Sequence, residues 1–283
     1  MMRNDFSILL CTNGQYSTRP ALEYGVWLAG LLEKPVVLLG VDEDEKFRLN
    51  LRNLLDSTAE KLDGLGIPYE KRVIIGHGTT AIAEAAQSGK YLTVVGPLGR
   101  PTWQRVVQGR SFRRLLAKIE TPILYVPQTC LPLKRALICV GGLGYAFSLE
   151  HLGILIARAA EASITLLHVI EPISLNYPTA TEIYQHPDNI LDTHTPQAHN
   201  LRQALAEIHA AGLKVDLIVR HGNIVHEIYD EVQTGDYDLI GLGSQYSAKG
   251  LRHLYTPNVT AEIAETINRP VLAVRMGQDL VGK

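Results

Sequence analysis

The sequence predicts an α/β protein made of two repeated domains, each with a five-stranded parallel sheet covered by helices on both faces. Residues 6–41 and 134–169 align with one constant shift, which places Cys11 on Cys139 and Val41 on Val169. Within each repeat, short apolar runs alternate with segments whose apolar residues recur at helical spacing. This alternation is typical of buried parallel strands joined by helices.

The first half contains five predicted strands that alternate with four predicted helices. The strands are residues 8–12, 35–41, 69–76, 92–96 and 122–126, and the helices are 21–32, 43–66, 79–87 and 111–120. Because crossovers between parallel strands are right-handed, few topologies are available to this order of elements. Ligands of such sheets bind beyond the carboxyl ends of the strands, so we look for a site there.

The second half repeats the same order with one insertion. We expect domains at 1–129 and 130–283, with an inserted loop at about 172–200 and a helix that resumes at 201. The simpler interpretation of the insertion is an enlarged surface loop, because loop length costs little entropy. The alternative is a lid or a partner-binding flap. Association of two chains into a homodimer stays open.

Composition narrows the classes of partner. The chain of 283 residues has 46% hydrophobic and 20% charged residues, and its net charge is −2. That charge gives no reason to expect nucleic acid. No apolar run reaches the length of a membrane span, and the N-terminal residues do not resemble a signal peptide, so we expect no membrane partner and a cytoplasmic location. Three cysteines in this context favour buried, reduced thiols.

A glycine-rich loop after the fourth strand is the first candidate site. Gly96 is followed by Gly99 and then by Gly109, and a helix is predicted to begin near Ser111. Glycines let backbone amides approach an anion, and a helix N-terminus attracts phosphate. Spaced glycines also serve tight turns without any ligand. A basic cluster lies beside the loop, and its members are Arg100, Arg105, Arg110, Arg113 and Arg114; Trp103, in the same loop, is expected to pack.

Taken together, these features resemble the universal stress protein family in its tandem two-domain form. The resemblance covers nearly the whole chain and implies a Rossmann-like fold of the adenine nucleotide alpha hydrolase-like type. Members of that family commonly pair through their fifth strands, so the resemblance also implies that ILYV and VLAV pair with each other and make the two halves an intramolecular pseudo-dimer. It also implies a site for ATP or another adenine nucleotide in the first domain only. No cofactor is expected to be required. The expected site residues are Thr12, Asn13, Val41, Gly96, Gly99, Gly109, Arg110 and Ser111. Asn13 stands where the family has Asp, and Arg110 stands where the family has Ser or Thr.

The second half departs further from the family's nucleotide motif. Gly243 and Ser244 match its start, but Tyr246 replaces the second glycine, and Pro257 with Asn258 replaces the final Gly-Ser. A proline there removes an amide donor from the place where phosphate would be held. Gly141 and Gly142 stand where the carboxylate would be, although Val169 remains. We therefore expect this half to have lost nucleotide binding.

Histidines offer weaker alternatives. His77-Gly78 and His221-Gly222 are expected to occupy equivalent places after the third strand of each half, and we interpret both as helix-entry turns rather than as a catalytic pair. His186, His194 and His199 in the insertion are irregularly spaced, so we predict no metal site.

Three functional hypotheses follow from the residues and the resemblance. The first is a non-enzymatic, stress-linked regulatory protein that binds an adenine nucleotide through its first half. The second is a nucleotide-independent scaffold that binds a protein or another small ligand through the insertion. The third is a very slow ATPase. No motif typical of an enzyme is present, and we predict no catalytic residues.

Overall fold

The fold places ten strands in a single sheet. The computed structural model describes residues 6–99, 111–141, 147–170, 190–244, 259–275 and 280. Within these residues the sheet order is β3-β2-β1-β4-β5-β10-β9-β6-β7-β8. The strands are β1 Ser7–Thr12, β2 Val36–Asp42, β3 Tyr69–Ile75, β4 Tyr91–Val95, β5 Ile123–Tyr125, β6 Arg135–Cys139, β7 Ser163–Ile170, β8 Val215–His221, β9 Leu239–Ser244 and β10 Val271–Arg275.

Helices cover both faces of this sheet. They are α1 Arg19–Leu32, α2 Arg48–Gly64, α3 Gly78–Gln87, α4 Ser111–Lys118, α5 Phe147–Ala159, α6 Pro196–Ala210, α7 Ile224–Thr234 and α8 Val259–Thr266. Short 3-10 helices lie at Tyr16–Thr18, Glu45–Phe47 and Ile190–Asp192. The predicted α/β class, with two repeated Rossmann-like halves, is confirmed. Among the helices described, none is both long and apolar enough to cross a membrane.

The two halves join through their fifth strands. β5 pairs with β10 antiparallel, with Leu124 opposite Leu272. The neighbouring pairs, β4 with β5 and β9 with β10, are parallel. The expected pairing of ILYV with VLAV is therefore confirmed, and it makes one continuous sheet from the two repeats.

Alternate residues of the strands belong to two hydrophobic cores, one on each face of the sheet. In β1, Ile8 and Leu10 face the core under α1 and α2, whereas Leu9 and Cys11 face the core under α3 and α4. Each core continues across the β5–β10 junction into the second half. Burial on both faces explains why the strands are nearly continuous apolar runs.

The helix after the insertion begins earlier than the sequence predicted. α6 starts at Pro196, so residues 196–200, which we had assigned to the inserted loop, are helical. The Thr195 side chain accepts a hydrogen bond from the Ala198 amide, and Pro196 occupies the first turn. Threonine as N-cap followed by proline is a recognised start signal. The rest of the proposed lid, up to residue 189, lies outside the described residues.

The two histidine-glycine turns are not equivalent in the structure. His77 is the N-cap of α3, as a helix-entry turn requires. His221 is instead the last residue of β8, and the N-cap of α7 is Asn223. Matching β3 to β8 residue by residue pairs His77 with Asn223. The predicted correspondence between His77 and His221 is therefore wrong, because it aligned letters rather than strand ends.

Candidate functional site

The carboxyl ends of β1 and β4 lie at the switch point of the first half, and we call the space beyond them the crevice. In the first half the sheet order is β3-β2-β1-β4-β5, so the chain runs outward from β1 in one direction and from β4 in the other. Loops diverge at such a switch point, and ligands of open α/β sheets bind there. Thr12 ends β1 and Asn13 follows it, and Gly96 and Gly99 follow β4. Four of the predicted site residues thus frame one crevice.

Asn13 bridges the two walls of this crevice. Its side chain is buried, with 3% of the residue exposed. Its Nδ2 donates to the carbonyl oxygen of Leu98 at 3.1 Å, and its Oδ1 accepts from the Gln15 amide at 3.3 Å. A carboxylate could not donate to Leu98. The asparagine is therefore matched to this loop geometry in a way that the family's aspartate is not.

Hydroxyl groups reinforce the same junction. Thr12 and Thr18 share a hydrogen bond of 2.6 Å between their Oγ1 atoms, and the Gly14 amide donates to Thr12 Oγ1 at 3.2 Å. Ser17 Oγ donates to the Pro97 carbonyl at 2.7 Å. Sequence reasoning selected Thr12 but missed Gly14, Ser17 and Thr18. No local pattern marks Ser17, because its partner is 80 residues away in the chain.

The two described glycines of the loop have different physical roles. A Cβ on Gly96 would lie 2.9 Å from Thr18 Cα and 3.0 Å from the Ser17 carbonyl oxygen, so Gly96 allows close packing of the loop on the start of α1. Gly99 has a φ of +48°, in the left-handed region that favours glycine. A Cβ there would meet the Gln15 side chain, which lies over Gly99.

Val41 and its neighbours form the floor beside the crevice. Val41 is fully buried near the end of β2, and its side chain belongs to the core under α3 and α4. The acidic residues that follow already have partners. Arg48 Nε lies 2.6 Å from Asp42 Oδ2, and His77 Nδ1 lies 3.6 Å from Glu43 Oε1.

Several predicted site residues lie outside the described residues. They are Gly109 and Arg110, together with Arg100, Arg105 and Trp103. Ser111 is the first residue of α4, although its side chain is not described. Of the remaining basic cluster, Arg113 is exposed and its backbone amide donates to Glu265 Oε1 at 3.1 Å. This bond links α4 to α8 of the second half.

The equivalent region of the second half has different chemistry. His168 stands at the position that Gly40 holds in the first repeat, and its Nδ1 lies 2.9 Å from the Val140 carbonyl oxygen at the end of β6. Burial lowers the pKa of His168. Gly141 and Gly243 are both exposed, and among the described residues nothing lies within 4 Å of a Cβ added to either. Val169 is half-buried there. Gly142, Tyr246, Pro257 and Asn258 lie outside the described residues.

The histidines of the insertion gain no metal partners that the structure describes. His194 lies just before α6, and His199 lies within it. Across the described ranges, no group of three or more His, Cys, Asp or Glu side chains could hold a metal ion. His186 lies outside those ranges.

Glu150 is a buried carboxyl group in the second half. It lies on α5 where the repeat places Leu22 in α1, and only 6% of it is exposed. Burial, and secondly the nearby Glu207, raise its pKa to about 7. His151, the next residue, lies 3.6 Å from Glu207 between Nε2 and Oε2. Ionisation of Glu150 therefore opposes folding.

Replacing Glu150 with glutamine should make stability less dependent on pH. Because its folded pKa lies above the unfolded value, the Glu150 contribution is fully present below about pH 4.5 and is lost as pH rises through about 7. We expect Glu150→Gln to stabilise the protein by on the order of 2 to 3 kcal/mol at pH 8, and by less than about 1 kcal/mol at pH 5. Urea unfolding at both pH values measures this. Glu60→Gln, an exposed change on α2, is the control; equal gains for the two variants would contradict the expectation.

Comparison with known proteins gives a consistent picture. A sequence model of the universal stress protein family matches residues 132–275, just over half of the chain. A universal stress protein from Archaeoglobus fulgidus DSM 4304 has a TM-score of 0.68 at 15% identity, with 96% of each chain covered. The functionally unknown protein PA1789 from Pseudomonas aeruginosa PAO1 has a TM-score of 0.67 at 19% identity, covering 95% of this chain and 92% of that one. A search of curated proteins found no match. At these identities the solved structures support the fold alone.

Proposed function

The chain belongs to the universal stress protein family, and from that premise we propose that its first half binds an adenine nucleotide such as ATP without turning it over. The observation that carries the proposal is the crevice at the β1–β4 switch point. Asn13 and Leu98, the residue before Gly99, meet there although they are far apart in the sequence, and the hydrogen bond of 3.1 Å between them joins the two walls.

The chemistry of the walls suits a phosphate-bearing ligand. Gly99 is half-buried and left-handed, and because it has no side chain its backbone amide can approach an anion. α4 begins after the same loop, so its N-terminus would add a favourable dipole for phosphate, with Gly109, Arg110 and Ser111 beside it. The backbone of Val41 at the end of β2 would contact the adenosine.

In this proposal Asn13 positions the walls and does not supply charge. An amide nitrogen carries two N–H groups, and one of them is already used by Leu98. The second N–H can still donate to a ribose hydroxyl or a base nitrogen. Asp42 forms a salt bridge with Arg48. Because a carboxylate paired in this way is a poor Mg²⁺ ligand and a poor general base, this salt bridge agrees with binding without turnover.

A second candidate is the nucleotide-independent scaffold. It is favoured by the Gln15 side chain, which lies over Gly99, and by the Asn13 bond that closes the crevice. In this alternative the first-half loop is a structural junction, and partners bind through the inserted segment or another surface.

Mass spectrometry and calorimetry separate these candidates. Protein purified without added nucleotide would be weighed under native conditions and then titrated with ATP, ADP and AMP. We expect one nucleotide per chain, with affinity in the millimolar range or tighter. An absence of heat with all three nucleotides would leave the scaffold. Turnover of ATP that disappears when Gly109 is replaced by a bulky residue would instead indicate a slow ATPase.

Gly99→Ala locates the binding site. Alanine at a φ of +48° is strained by about 1 to 2 kcal/mol, and its methyl group displaces Gln15 over the loop. We expect the variant to bind ATP at least about tenfold more weakly than the unmodified chain. Gly66→Ala is the matched control, because Gly66 has a φ of +67° with nothing within 4 Å of an added Cβ. Equal affinity of the two variants would place the nucleotide elsewhere.

A further inference from the structure

The strand β3 forms an end of the sheet, and its last three residues are apolar and exposed. Val73 is 57% exposed, Ile74 is 36% exposed and Ile75 is 82% exposed. None of the three belongs to either hydrophobic core. A long apolar edge strand is a template for pairing with another chain, and soluble proteins normally protect it.

The opposite end of the sheet is protected. β8 is the second edge strand, and its apolar residues Val215, Leu217 and Val219 are half-buried against the core under α5 and α6. Arg220, on the same strand, is bound by Glu231 of α7. The exposed apolar surface is thus a property of β3 and not of every edge in this fold.

The hydrogen bonds of β3 define which backbone groups are open. The Pro68 carbonyl accepts a hydrogen bond from the Val36 amide, and the Gly76 amide donates one to the Asp42 carbonyl. The backbone N–H and C=O groups of the even-numbered residues of β3 therefore point toward β2. Because successive residues of a strand point to opposite sides, the amides and carbonyls of Lys71, Val73 and Ile75 point outward. Among the described residues no strand pairs with this edge.

We propose that β3 pairs antiparallel with β3 of a second copy of this chain, about a two-fold axis through Ile74. The two-fold axis must pass through a residue, because an axis between two residues would set each outward-pointing residue opposite one whose backbone groups point toward β2. An axis through Arg72 would set Arg72 against itself, and like charges directly opposite are unfavourable. An axis through Val73 would set Lys71 against Ile75.

The axis through Ile74 is the one that matches the side chains. Val73 then lies opposite the second copy's Ile75, and Ile74 lies opposite its own counterpart, so all three exposed apolar residues are covered by apolar residues. The same register sets Arg72 opposite the second copy's Gly76 and Lys71 opposite its His77. Within their own chain these two cations already have partners: Arg72 binds Glu70 at 2.6 Å, and Lys71 binds Asp56 at 2.7 Å. The strand is therefore complementary to itself.

A cysteine at position 74 reports this register directly. Ile74 would form a non-hydrogen-bonded antiparallel pair with its counterpart, with Cα atoms about 4.5 Å apart, a distance that a disulfide can span. We expect Ile74→Cys to give a disulfide-linked dimer in high yield under mild oxidation. Leu49→Cys is the matched control, because Leu49 is 71% exposed but lies on α2. The unmodified chain, with its own three cysteines, is the background.

Analytical ultracentrifugation of the unmodified chain completes the test. We expect a reversible dimer of twice 31.2 kDa in the micromolar range. Ile74→Lys should shift it to monomer without changing the thermal midpoint of the dilute protein, and Leu49→Lys should not. A monomer at all concentrations, or a dimer in which the cysteine at position 74 does not crosslink, would overturn the proposal. Open oligomers larger than a dimer would also overturn it, because they would indicate β3 pairing with β8 head to tail.

Discussion

Replacing Gly14 with alanine is expected to lower the free energy of unfolding by roughly 2 to 4 kcal/mol. Gly14 has a φ of +80°, and an added Cβ would lie 2.8 Å from the Phe47 carbonyl oxygen and 2.9 Å from Leu51 Cβ. Both atoms belong to the start of α2 and its preceding turn, so neither can move without the backbone. Urea unfolding measures the loss.

The same substitution should also weaken nucleotide binding. The Gly14 amide donates to Thr12 Oγ1, and the Gly14 carbonyl accepts from the Asn50 side chain, so a displaced Gly14 would move Asn13 with it. Gly66→Ala has a similar φ of +67° and open space around the added methyl group. We expect it to cost only about 1 kcal/mol. Equal losses for Gly14→Ala and Gly66→Ala would show that the contact with α2 is unimportant.

Asn13→Asp should have the second large effect, a loss of about 2 to 3 kcal/mol at neutral pH. The introduced carboxylate would be nearly fully buried and would face the Leu98 carbonyl oxygen, which now accepts a hydrogen bond from Asn13 Nδ2 at 3.1 Å. Two acceptors would then oppose each other. A protonated carboxyl group can donate to Leu98, so the loss should shrink as pH falls.

Urea unfolding at pH 7 and pH 5 tests this expectation. Asn53→Asp is the control, because Asn53 is exposed on α2 and its substitution introduces the same charge. If Asn13→Asp and Asn53→Asp behave alike at both pH values, the Asn13–Leu98 bond does not hold the crevice. In that case the departure from the family's aspartate needs another explanation.

Much of the fold could be predicted because its signals are periodic and local. The apolar runs of β1 and β2 carry the strand signal in nearly every residue, since both faces of each strand are buried. The repeat with a constant shift predicted the second half from the first. The pairing of β5 with β10 was implied by the resemblance to a family whose members commonly pair through their fifth strands.

The contacts of the candidate site were much harder to predict. Asn13 meets Leu98 across 85 residues, and no pattern near either residue indicates that they touch. Gly96 was selected as a phosphate-binding glycine, but its close approach to Thr18 depends on how α1 enters the sheet. Thr195, by contrast, carries a local cap signal, and it places the start of α6 at Pro196 rather than at the predicted residue 201.

The exposed end of β3 shows a further limit of the sequence. Val73, Ile74 and Ile75 look like any other buried strand segment, and only the sheet order reveals that they lie at an edge. Whether the side chains of β3 are exposed depends on whether another strand lies beside β3, and the order of strands in the whole sheet decides that.

The most direct test of the nucleotide proposal is a crystal structure of the chain grown with ATP and Mg²⁺ at saturating concentration. We expect nucleotide density in the β1–β4 crevice of the first half, with phosphates against the backbone of Gly99 and the adenosine beside Val41. We expect none at the corresponding position beyond β6 and β9. Density in the second half alone, or an unliganded first half at saturating ATP, would contradict the proposal.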